Sequence, residues 1–455
     1  MMIFLERVKE LAENFKALNS PIRVISHLDA DGISAGAIIS RALEREEKKF
    51  SLTIIRQLTN EKLLELSKEK YENFLFLDLG SGHIPLMESL LKGKKVFILD
   101  HHIPEKDSKI INIANPHLAG LTSDDVSGAG VSYLFSKFLN SRNKDLAHLA
   151  IIGALGDTQE VNISLNKEIL NDALETGNIK IEKGLRMFGL QTRPIHKLLE
   201  YSLDPFIPEI TGNEEKAIHF LNSLKIPVKD EKDNWRKVCD LGEEELKKLA
   251  AAIILKRMPS QENPEDIFGE IYVLPSRNSE SPTRNAKEFA TLLNACGKLG
   301  KPSIGLAVCL SEKFEGAALE LLNQYRKEIV DAINWFYQNK NSEHILENEK
   351  FILIKTNGFI RETLTGVMAS VLSRSNIIDN QKLVIVSSHT SDGKIKFSIR
   401  TNKDNLNLKE LLGNLKQNVE IDYGGHKNAA GCFVEKDQEE KFVKCLLEEI
   451  NRKFY

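Results

Sequence analysis

Four short apolar runs alternate with helical segments near the start of the chain, and this rhythm limits the folds open to it. The runs are IRVIS (22–26), SLTIIRQ (51–57), NFLFLDL (73–79) and KKVFILD (94–100). Segments with helical spacing, such as GISAGAIISRALE (32–44), separate them. Strands that are apolar on both faces and alternate with helices are typical of a parallel sheet covered by helices. The sequence therefore predicts an α/β fold built on a parallel sheet.

Acidic and histidine residues follow the predicted strands, where ligands collect in sheets of this kind. They occur in SHLDADG, FLDLGSG, the triplet DHH after KKVFIL, and GDTQ at the end of the apolar helical stretch LAHLAIIGALGD (146–157). Because parallel strands end at one edge of a sheet, we expect these side chains to converge. They are His27, Asp29, Asp31, Asp78, Asp100, His101, His102 and Asp157.

The chemistry of these residues predicts a metal centre. A single aspartate at a strand end is about as often a helix cap or a turn residue as a functional residue. Five carboxylates in one crevice would repel one another unless cations neutralised them. Oxygen and imidazole ligands without thiolates suit Mn²⁺ or Mg²⁺, and the ligands suffice for two ions. Two such ions would activate water and stabilise a phosphoryl group, so the pattern predicts phosphoester hydrolysis.

Composition excludes several other classes of protein. The 455 residues include 62 Lys plus Arg and 65 Asp plus Glu, so no overall positive charge draws the chain to nucleic acid. The five cysteines have no CxxC spacing, which favours reduced thiols and a cytoplasmic protein over a disulfide framework or zinc site. No apolar run approaches the roughly 20 residues that cross a bilayer, so we expect no membrane span.

The order of these motifs resembles that of the DHH phosphoesterase superfamily. DADG, Asp78, DHH and GDT occur in the family's order, and GGHKNAAG (424–431) resembles the glycine-rich loop of its associated substrate-binding domain. Within the superfamily, the chain is most similar to the archaeal RecJ-like single-strand exonucleases, including the type that associates with the GINS replication complex. The segments NPHLAG (115–120), SGAGVSYLF (127–135) and TRNAKEFATLLNACGKLG (283–300) support that branch.

The resemblance implies a role for each residue of the strand-end clusters. One metal would be bound by Asp29 with His27, and the second by Asp31, His101 and Asp157. Asp78 would bridge the two ions. Asp100 would orient a DHH histidine from outside the ligand set. His102 would touch the scissile phosphate.

The rest of the chain predicts three further parts. Mixed-charge helical patterns indicate a small helical insert, a long helical pattern over 315–338 would join two lobes, and the last part returns to mixed α/β. The predicted domains are a DHH catalytic domain (1–198), the insert (199–262), a connecting segment with the long helix (263–345) and a substrate-binding domain (346–455).

Candidate substrate contacts lie mostly in the last domain. In KIKFSIR (394–400) basic or polar residues alternate with apolar ones, so one face of the predicted strand is polar, and Arg400 is the main candidate for gripping a phosphate. In GGHKNAAG the two glycines would let backbone amides approach an anion. Taken alone, a glycine-rich sequence of this kind is more often a tight turn than an anion-binding loop. For several of the other candidate residues, a role as a surface residue is equally open. The candidates are Arg400, Gly424, Gly425, His426, Lys427, Ser127, Gly128, Arg284, Asn285 and Arg374.

These features predict a two-metal exonuclease that hydrolyses single-stranded DNA, or RNA, to mononucleotides in DNA replication or repair. One alternative is a phosphodiesterase for short oligoribonucleotides or cyclic dinucleotides. The other is a replication scaffold that binds GINS and the replicative helicase, similar to a eukaryotic helicase subunit of this family. The resemblance implies that the scaffold lineage has lost metal ligands, which this chain retains. Any GINS contact is expected at the insert.

Overall fold

The computed structural model describes residues 1–19, 21–190, 193–202, 205–259, 263–374, 378–379, 381–403, 406–425 and 427–453. The chain divides into two compact units, Met1–Leu322 and Asn323–Tyr455. The division falls inside one long helix, and the two units are described separately.

The first unit is built on the parallel sheet that the sequence predicts. Its strand order is β2-β1-β3-β4-β5, and all four pairings are parallel. The strands are β1 (Ile22–His27), β2 (Phe50–Ile55), β3 (Asn73–Leu77), β4 (Lys95–Leu99) and β5 (Asn112–Ala114). The helices around them are α1 (Met2–Lys16), α2 (Ala30–Arg45), α3 (Asn60–Ser67), α4 (Ile84–Leu90), α5 (Gly128–Leu139), α6 (Ala147–Gly156) and α7 (Ser164–Glu175).

The predicted strands match the observed ones, and the neighbouring strands β1 and β3 are buried on both faces. Every residue of β3 is buried, and so is every residue of β1 except its last, His27. The short strand β5 was not predicted; its three residues give little periodicity to read. The α/β class and the parallel sheet are thus confirmed, with the carboxyl ends of the strands at one edge.

A helical region with its own hydrophobic core follows α7. Its buried residues run from Leu185 to Ile267 and include Leu199, Leu221 and Ile253. An antiparallel pair of strands, β6 (Lys180–Leu185) and β7 (Phe268–Val273), closes the region at its two ends. Its helices are α8 (Ile195–Glu200), α9 (Glu214–Ser223) and α10 (Glu243–Arg257). The helical insert is therefore observed as a separately packed region.

Three helices follow β7, and the last spans both units. They are α11 (Ala286–Lys298), α12 (Pro302–Leu310) and α13 (Glu315–Asn339). The long helix α13 matches the predicted helical pattern over 315–338. Among the described residues, no helix combines the length and the apolar character that a membrane crossing needs.

The second unit contains a six-stranded mixed sheet in the order β12-β13-β11-β10-β9-β8. Only the β9–β10 pairing is parallel among its described strands. Its core includes Leu353, Phe397 and Phe442. The strands are β8 (Ile345–Glu347), β9 (Phe351–Lys355), β10 (Leu383–His389), β11 (Lys394–Arg400), β12 (Ile421–Gly425) and β13 (Ala429–Glu435), and the helices are α14 (Thr365–Arg374), α15 (Leu408–Leu415) and α16 (Glu439–Lys453). The mixed α/β class is confirmed here as well, whereas the boundaries of the four domains stay predictions.

Candidate metal centre

His27 and Asp29 lie where β1 turns into α2. Asp29 is the residue that caps α2, and its carboxylate accepts a hydrogen bond from the Gly32 amide (3.0 Å). His27 Nδ1 lies 2.9 Å from Asp29 Oδ2 and 3.4 Å from Asp78 Oδ2. The other ring nitrogen, Nε2, is 3.1 Å from the Arg56 carbonyl oxygen. Since a carbonyl only accepts, Nε2 donates to it, and Nδ1 is the ring nitrogen that faces the carboxylates.

Asp31 is fully buried at the start of α2 and is held by the start of α5. The amides of Gly128 and Ala129 donate to its two oxygens at 2.6 and 3.0 Å. The positive end of the α5 dipole therefore faces this carboxylate. Gly128 has no room for a side chain, because a Cβ there would lie 2.6 Å from Asp78 Oδ1.

Asp78 follows β3 directly and has a left-handed backbone conformation, with φ of +57°. This conformation is uncommon for a residue other than glycine and is often found at functional sites. Asp78 is 2 % exposed, and neither of its carboxylate oxygens has a hydrogen-bond partner. A buried carboxylate without donors is costly, so this one is suited to cations.

The DHH triplet follows β4, and its aspartate, Asp100, accepts hydrogen bonds from both histidines of the triplet. Asp100 Oδ1 accepts from the His101 and His102 amides (2.8 and 3.2 Å), and Oδ2 accepts from the Ser81 amide (3.0 Å). His102 Nδ1 donates to Asp100 Oδ1 at 2.7 Å. The histidine that Asp100 orients is thus His102, whose side chain is 40 % exposed.

His101 points into the cluster with a fixed tautomer. Its Nδ1 is 3.1 Å from the Ser123 carbonyl oxygen, so that nitrogen holds the proton. Its Nε2 has no hydrogen-bond partner and lies 3.2 Å from Asp157 Oδ2, 3.4 Å from Asp78 Oδ1 and 3.8 Å from Asp31 Oδ2. Asp157 is brought there as the residue that ends α6.

These distances place the residues in groups that could each hold a metal ion. Within a group, one ligand atom from each residue lies within 4.8 Å of the others. The groups are His27–Asp29–Asp78, Asp31–His101–Asp157 and Asp78–His101–His102. The unpartnered atoms His27 Nδ1, Asp78 Oδ1, Asp78 Oδ2 and His101 Nε2 are oxygen and imidazole donors, so the residues present fit Mn²⁺ or Mg²⁺.

The carboxylates of the cluster raise the pKa values of its histidines. Burial alone would lower the pKa of His27, but Asp29 and Asp78 raise it well above its ordinary value. His101 is shifted the same way, because Asp157 and Asp78 outweigh its burial. Burial and the neighbouring carboxylates of Asp78 and Asp157 raise the pKa of Asp31. The site therefore demands cations, as expected for a metal centre.

Comparisons with known proteins identify the family. The DHH family N-terminal domain matches residues 21–154, the DHH-CID domain matches 187–268 and the DHHA1 domain matches 357–452. An uncharacterized protein of Methanocaldococcus jannaschii is 31 % identical to the chain, and the match covers 97 % of both sequences. The chain belongs to the DHH family. The single-stranded-DNA-specific exonuclease RecJ of Thermus thermophilus is 28 % identical over 44 % of this chain and 32 % of its own length.

Two solved structures share the fold. RecJ of Thermus thermophilus, crystallised with Mn²⁺, matches with a TM-score of 0.60 at 17 % identity, over 99 % of this chain and 55 % of its own. CDC45 from Entamoeba histolytica matches with a TM-score of 0.67 at 13 % identity, over 98 % of this chain and 99 % of its own. The chain thus spans only about half of the RecJ structure but nearly all of CDC45. Together these findings make it a RecJ-like DHH protein.

Two predicted phosphate contacts of this DHH chain have other partners in the structure. The Ser127 side chain is fully buried and caps α5 by accepting from the Gly130 amide (3.1 Å). The Gly128 amide donates to Asp31, one of the predicted metal ligands. Ser127 and Gly128 thus support the metal centre, and a direct contact with substrate stays a prediction.

The predicted contacts at the start of α11 are also used within the protein. The Asn285 side chain caps α11 by accepting from the Lys287 and Glu288 amides (2.9 and 3.1 Å). Arg284 Nη1 donates to the Arg277 carbonyl (3.1 Å). Both residues thus have partners within the protein, and their role as substrate contacts stays a prediction.

In the second unit, the polar face of β11 is covered by α14. Ser398 is 2 % exposed, and its hydroxyl is 2.8 Å from that of Thr365. Arg400 Nε donates to Ser370 Oγ (2.8 Å). The predicted alternation is correct, but Ser398 and Arg400, at one end of the polar face, pack on α14 rather than lying open. Arg400 at the strand end stays half-buried.

The glycine-rich turn connects β12 to β13. Gly424 and Gly425 are exposed at the end of β12, and Gly425 has a φ of +128°, which favours glycine. Lys427 is exposed in the turn. His426 lies outside the described residues. Arg374 ends α14, and its side chain is likewise outside the described part of the chain.

Sequence reasoning missed the residues that hold the ligands in place. Asn115 Nδ2 donates to the His102 carbonyl (2.8 Å) and to Ser81 Oγ (2.9 Å). Gln159 Nε2 donates to the Ser123 carbonyl (2.8 Å), the same oxygen that fixes His101. The only sequence signal for them was proximity, since Asn115 begins NPHLAG and Gln159 ends GDTQ.

Proposed function

We propose that this chain is a metal-dependent exonuclease that hydrolyses phosphodiester bonds of single-stranded nucleic acid, DNA or RNA, to mononucleotides. One observation carries the proposal. Two groups of metal-binding side chains, His27–Asp29–Asp78 and Asp31–His101–Asp157, meet at a buried carboxylate whose oxygens lack donors. A shared fold does not by itself imply such a set of side chains.

The proposed ligands follow these groups. His27 and Asp29 would hold one Mn²⁺ or Mg²⁺, and Asp31, His101 and Asp157 the other, with Asp78 between them. When bound, two such ions supply an activated water and stabilise the charge of a phosphoryl group. The chain's own part is to fix these donors. The carbonyls of Arg56 and Ser123 hold the outer ring protons, which keeps the inner lone pairs of His27 and His101 turned to the cluster.

Asp100 and His102 have a different proposed part. Asp100 keeps the Nδ1 proton on His102 and, by its negative charge, favours the imidazolium form, because it raises the pKa of His102 despite burial. A charged, partly exposed histidine beside the cluster suits contact with the scissile phosphate. His102 is therefore proposed as a substrate contact rather than as a permanent metal ligand.

The second unit supplies the proposed grip on the strand. Arg400, Gly424, Gly425 and Lys427 fall within the segment matched by the DHHA1 domain, residues 357–452. An arginine fork and exposed turn amides are suited to backbone phosphates, which recur along any strand irrespective of its sequence. The name of the Thermus relative, a single-stranded-DNA-specific exonuclease, supports a role in DNA replication or repair.

Digestion of end-labelled strands tests the proposal. Matched single-stranded DNA and RNA, each labelled at the 5′ or the 3′ end, are incubated with Mn²⁺, Mg²⁺ or chelator. We expect mononucleotides to be released from one end, only with metal. Activity confined to di- or trinucleotides or to cyclic dinucleotides would instead assign the chain to the small-substrate branch.

A replication scaffold is the second candidate, favoured by the likeness to CDC45 over 99 % of that chain. The separately packed insert, with its core from Leu185 to Ile267, is the proposed surface for GINS or another replication protein. A pull-down with GINS tests this, comparing the full chain with a variant in which a short linker replaces the insert. Undiminished GINS binding by the shortened chain would exclude the insert as the surface. Absence of hydrolysis in a metal-loaded protein would make the scaffold the leading function.

A further inference from the structure

The loop that carries Asp29 is held from outside the sheet by helix α11. The Ala30 amide donates to Asn294 Oδ1 at 3.0 Å, across 264 residues of sequence. Ala30 is fully buried and stands between Asp29 and Asp31, one from each proposed ligand group. Its amide belongs to the first turn of α2, where no carbonyl of the helix can accept it.

The backbone of α11 also approaches this loop closely. A Cβ at Gly297 would lie 1.8 Å from the Leu28 carbonyl oxygen, so a side chain at that position would force the two apart. Gly297 and Asn294 are three residues apart and therefore share one face of α11. Lys298, the next residue, acts electrostatically on the Asp29 carboxylate. Asn294, Gly297 and Lys298 at the end of α11 thus each act on one residue of the segment Leu28–Ala30.

The neighbouring amide shows what the Asn294 contact adds. Asp29 itself accepts from the Gly32 amide, which fixes the carboxylate relative to α2 but not the loop relative to the rest of the unit. Asn294 fixes the peptide between the two aspartates against a helix that is itself packed in the core through Phe289 and Leu293. Loss of the acceptor would leave a buried amide unpaired, a penalty that is relieved only if the loop moves.

We propose that Asn294 is a positioning residue of the metal centre, which holds the Ala30 peptide so that Asp29 and Asp31 face their ions. This inference rests on the proposed metal-dependent function. It extends the centre beyond the segment matched by the DHH family N-terminal domain, residues 21–154, into the helix after the insert. The catalytic domain boundary predicted at residue 198 would exclude Asn294.

The test compares three variants of the full-length chain. Asn294→Leu removes the acceptor at similar size, and Asn294→Asp keeps it. Thr291→Val is the matched control on the same helix, because the Thr291 hydroxyl bonds only the Lys287 carbonyl among the described contacts. Mn²⁺ affinity is measured by calorimetry, and hydrogen exchange of the Leu28–Gly32 segment is measured without metal.

We expect Asn294→Leu to weaken Mn²⁺ binding about 10- to 100-fold, the usual cost of losing a partner behind a ligand. Exchange in the loop should be faster in this variant alone. Asn294→Asp and Thr291→Val should bind Mn²⁺ close to the wild-type affinity. The aspartate variant is informative because it keeps the acceptor, whereas a merely structural role of Asn294 would not predict that this variant retains its affinity. Wild-type affinity in Asn294→Leu, or equal loss in the leucine and aspartate variants, would overturn the proposal. If the wild-type protein bound no Mn²⁺, the metal-dependent function would fail, while the exchange rates would still decide whether Asn294 holds the loop.

Discussion

Gly153 in α6 lies so close to Asp31 that a Cβ at position 153 would be 2.5 Å from Asp31 Oδ1. It would also be 2.6 Å from the Ala129 Cβ. Asp31 is therefore enclosed by the amides at the start of α5 on one side and the bare backbone of α6 on the other. A carboxylate held in this way cannot turn aside to make room for a larger neighbour.

Gly153→Ala should accordingly disable the metal centre. The added methyl group must displace Asp31 from the Gly128 and Ala129 amides, so we expect a loss of Mn²⁺ affinity of at least the 10- to 100-fold typical of disturbed ligand support. Calorimetry with Mn²⁺ measures this. Gly316→Ala is the control, a helical glycine with no atom within 4 Å of the added Cβ, and it should bind as the wild type does. Equal affinity in both variants would contradict the enclosure of Asp31.

Asp78→Asn tests the carboxylate shared by the groups. The amide has similar size but no negative charge, so we expect turnover to fall by more than about 100-fold, beyond the usual effect of an outer partner. Hydrolysis of labelled single strands and the number of Mn²⁺ ions bound are the measurements. Asp124→Asn, at an exposed carboxylate, should change neither. Activity above about a tenth of the wild-type value would be incompatible with a shared ligand.

The stability of the protein should fall between pH 6.5 and 4 partly because of His148 in α6. Burial lowers its pKa from the ordinary 6.5 to about 4, and Arg277 adds to this effect, while Nδ1 is 2.8 Å from the Asp145 carbonyl oxygen. The unfolded chain therefore takes up a proton near pH 6.5 that the native state does not accept until near pH 4, which favours unfolding as the pH falls through that window. Urea midpoints of wild type and His148→Gln at pH 7, 5.5 and 4.5 measure it. The variant should lose less stability on acidification, and parallel losses would refute the assignment.

Arg400→Ala should separate strand binding from chemistry. Loss of a charged contact to a phosphate costs about 1.5–3 kcal/mol, so binding of a single-stranded oligonucleotide should weaken roughly 10-fold or more. Hydrolysis of a small chromogenic phosphodiester, which has no strand to grip, should be unchanged. Lys394→Ala, at the other end of β11 where Lys394 pairs with Glu435, is the control. Equal loss on both substrates would remove the proposed role of Arg400.

The strand ends of the first unit could be predicted because their signals are local. Buried parallel strands are apolar throughout, and the residues after them are set by the chain direction, so Asp78 and the DHH triplet could be placed at one edge of the sheet. The alternation in β11 was equally readable. The packing of α14 on this strand could not be predicted. A period of two identifies which side chains share a face but not whether a helix packs on that face.

The supports of the site could not be predicted because they depend on distant contacts. Ser127 and Asn285 have residue types that suit both helix caps and ligand contacts, and only the structure separates the two uses. Asn294 lies in an ordinary amphipathic helix, and nothing near it in sequence points to Ala30. In the sequence, Gly153 is one small residue in an apolar helix, and only the structure shows that it lies against the Asp31 carboxylate.

The contact between Ala30 and Asn294 also sets the earliest time during synthesis at which the aspartate loop can be fixed. A ribosome adds about 5–20 residues per second, so the 264 residues between them take on the order of 10–50 s to synthesise. During that interval the aspartate loop has emerged without the helix that fixes it. The nascent chain would thus carry the carboxylates of the metal centre before it contains the helix that holds their loop.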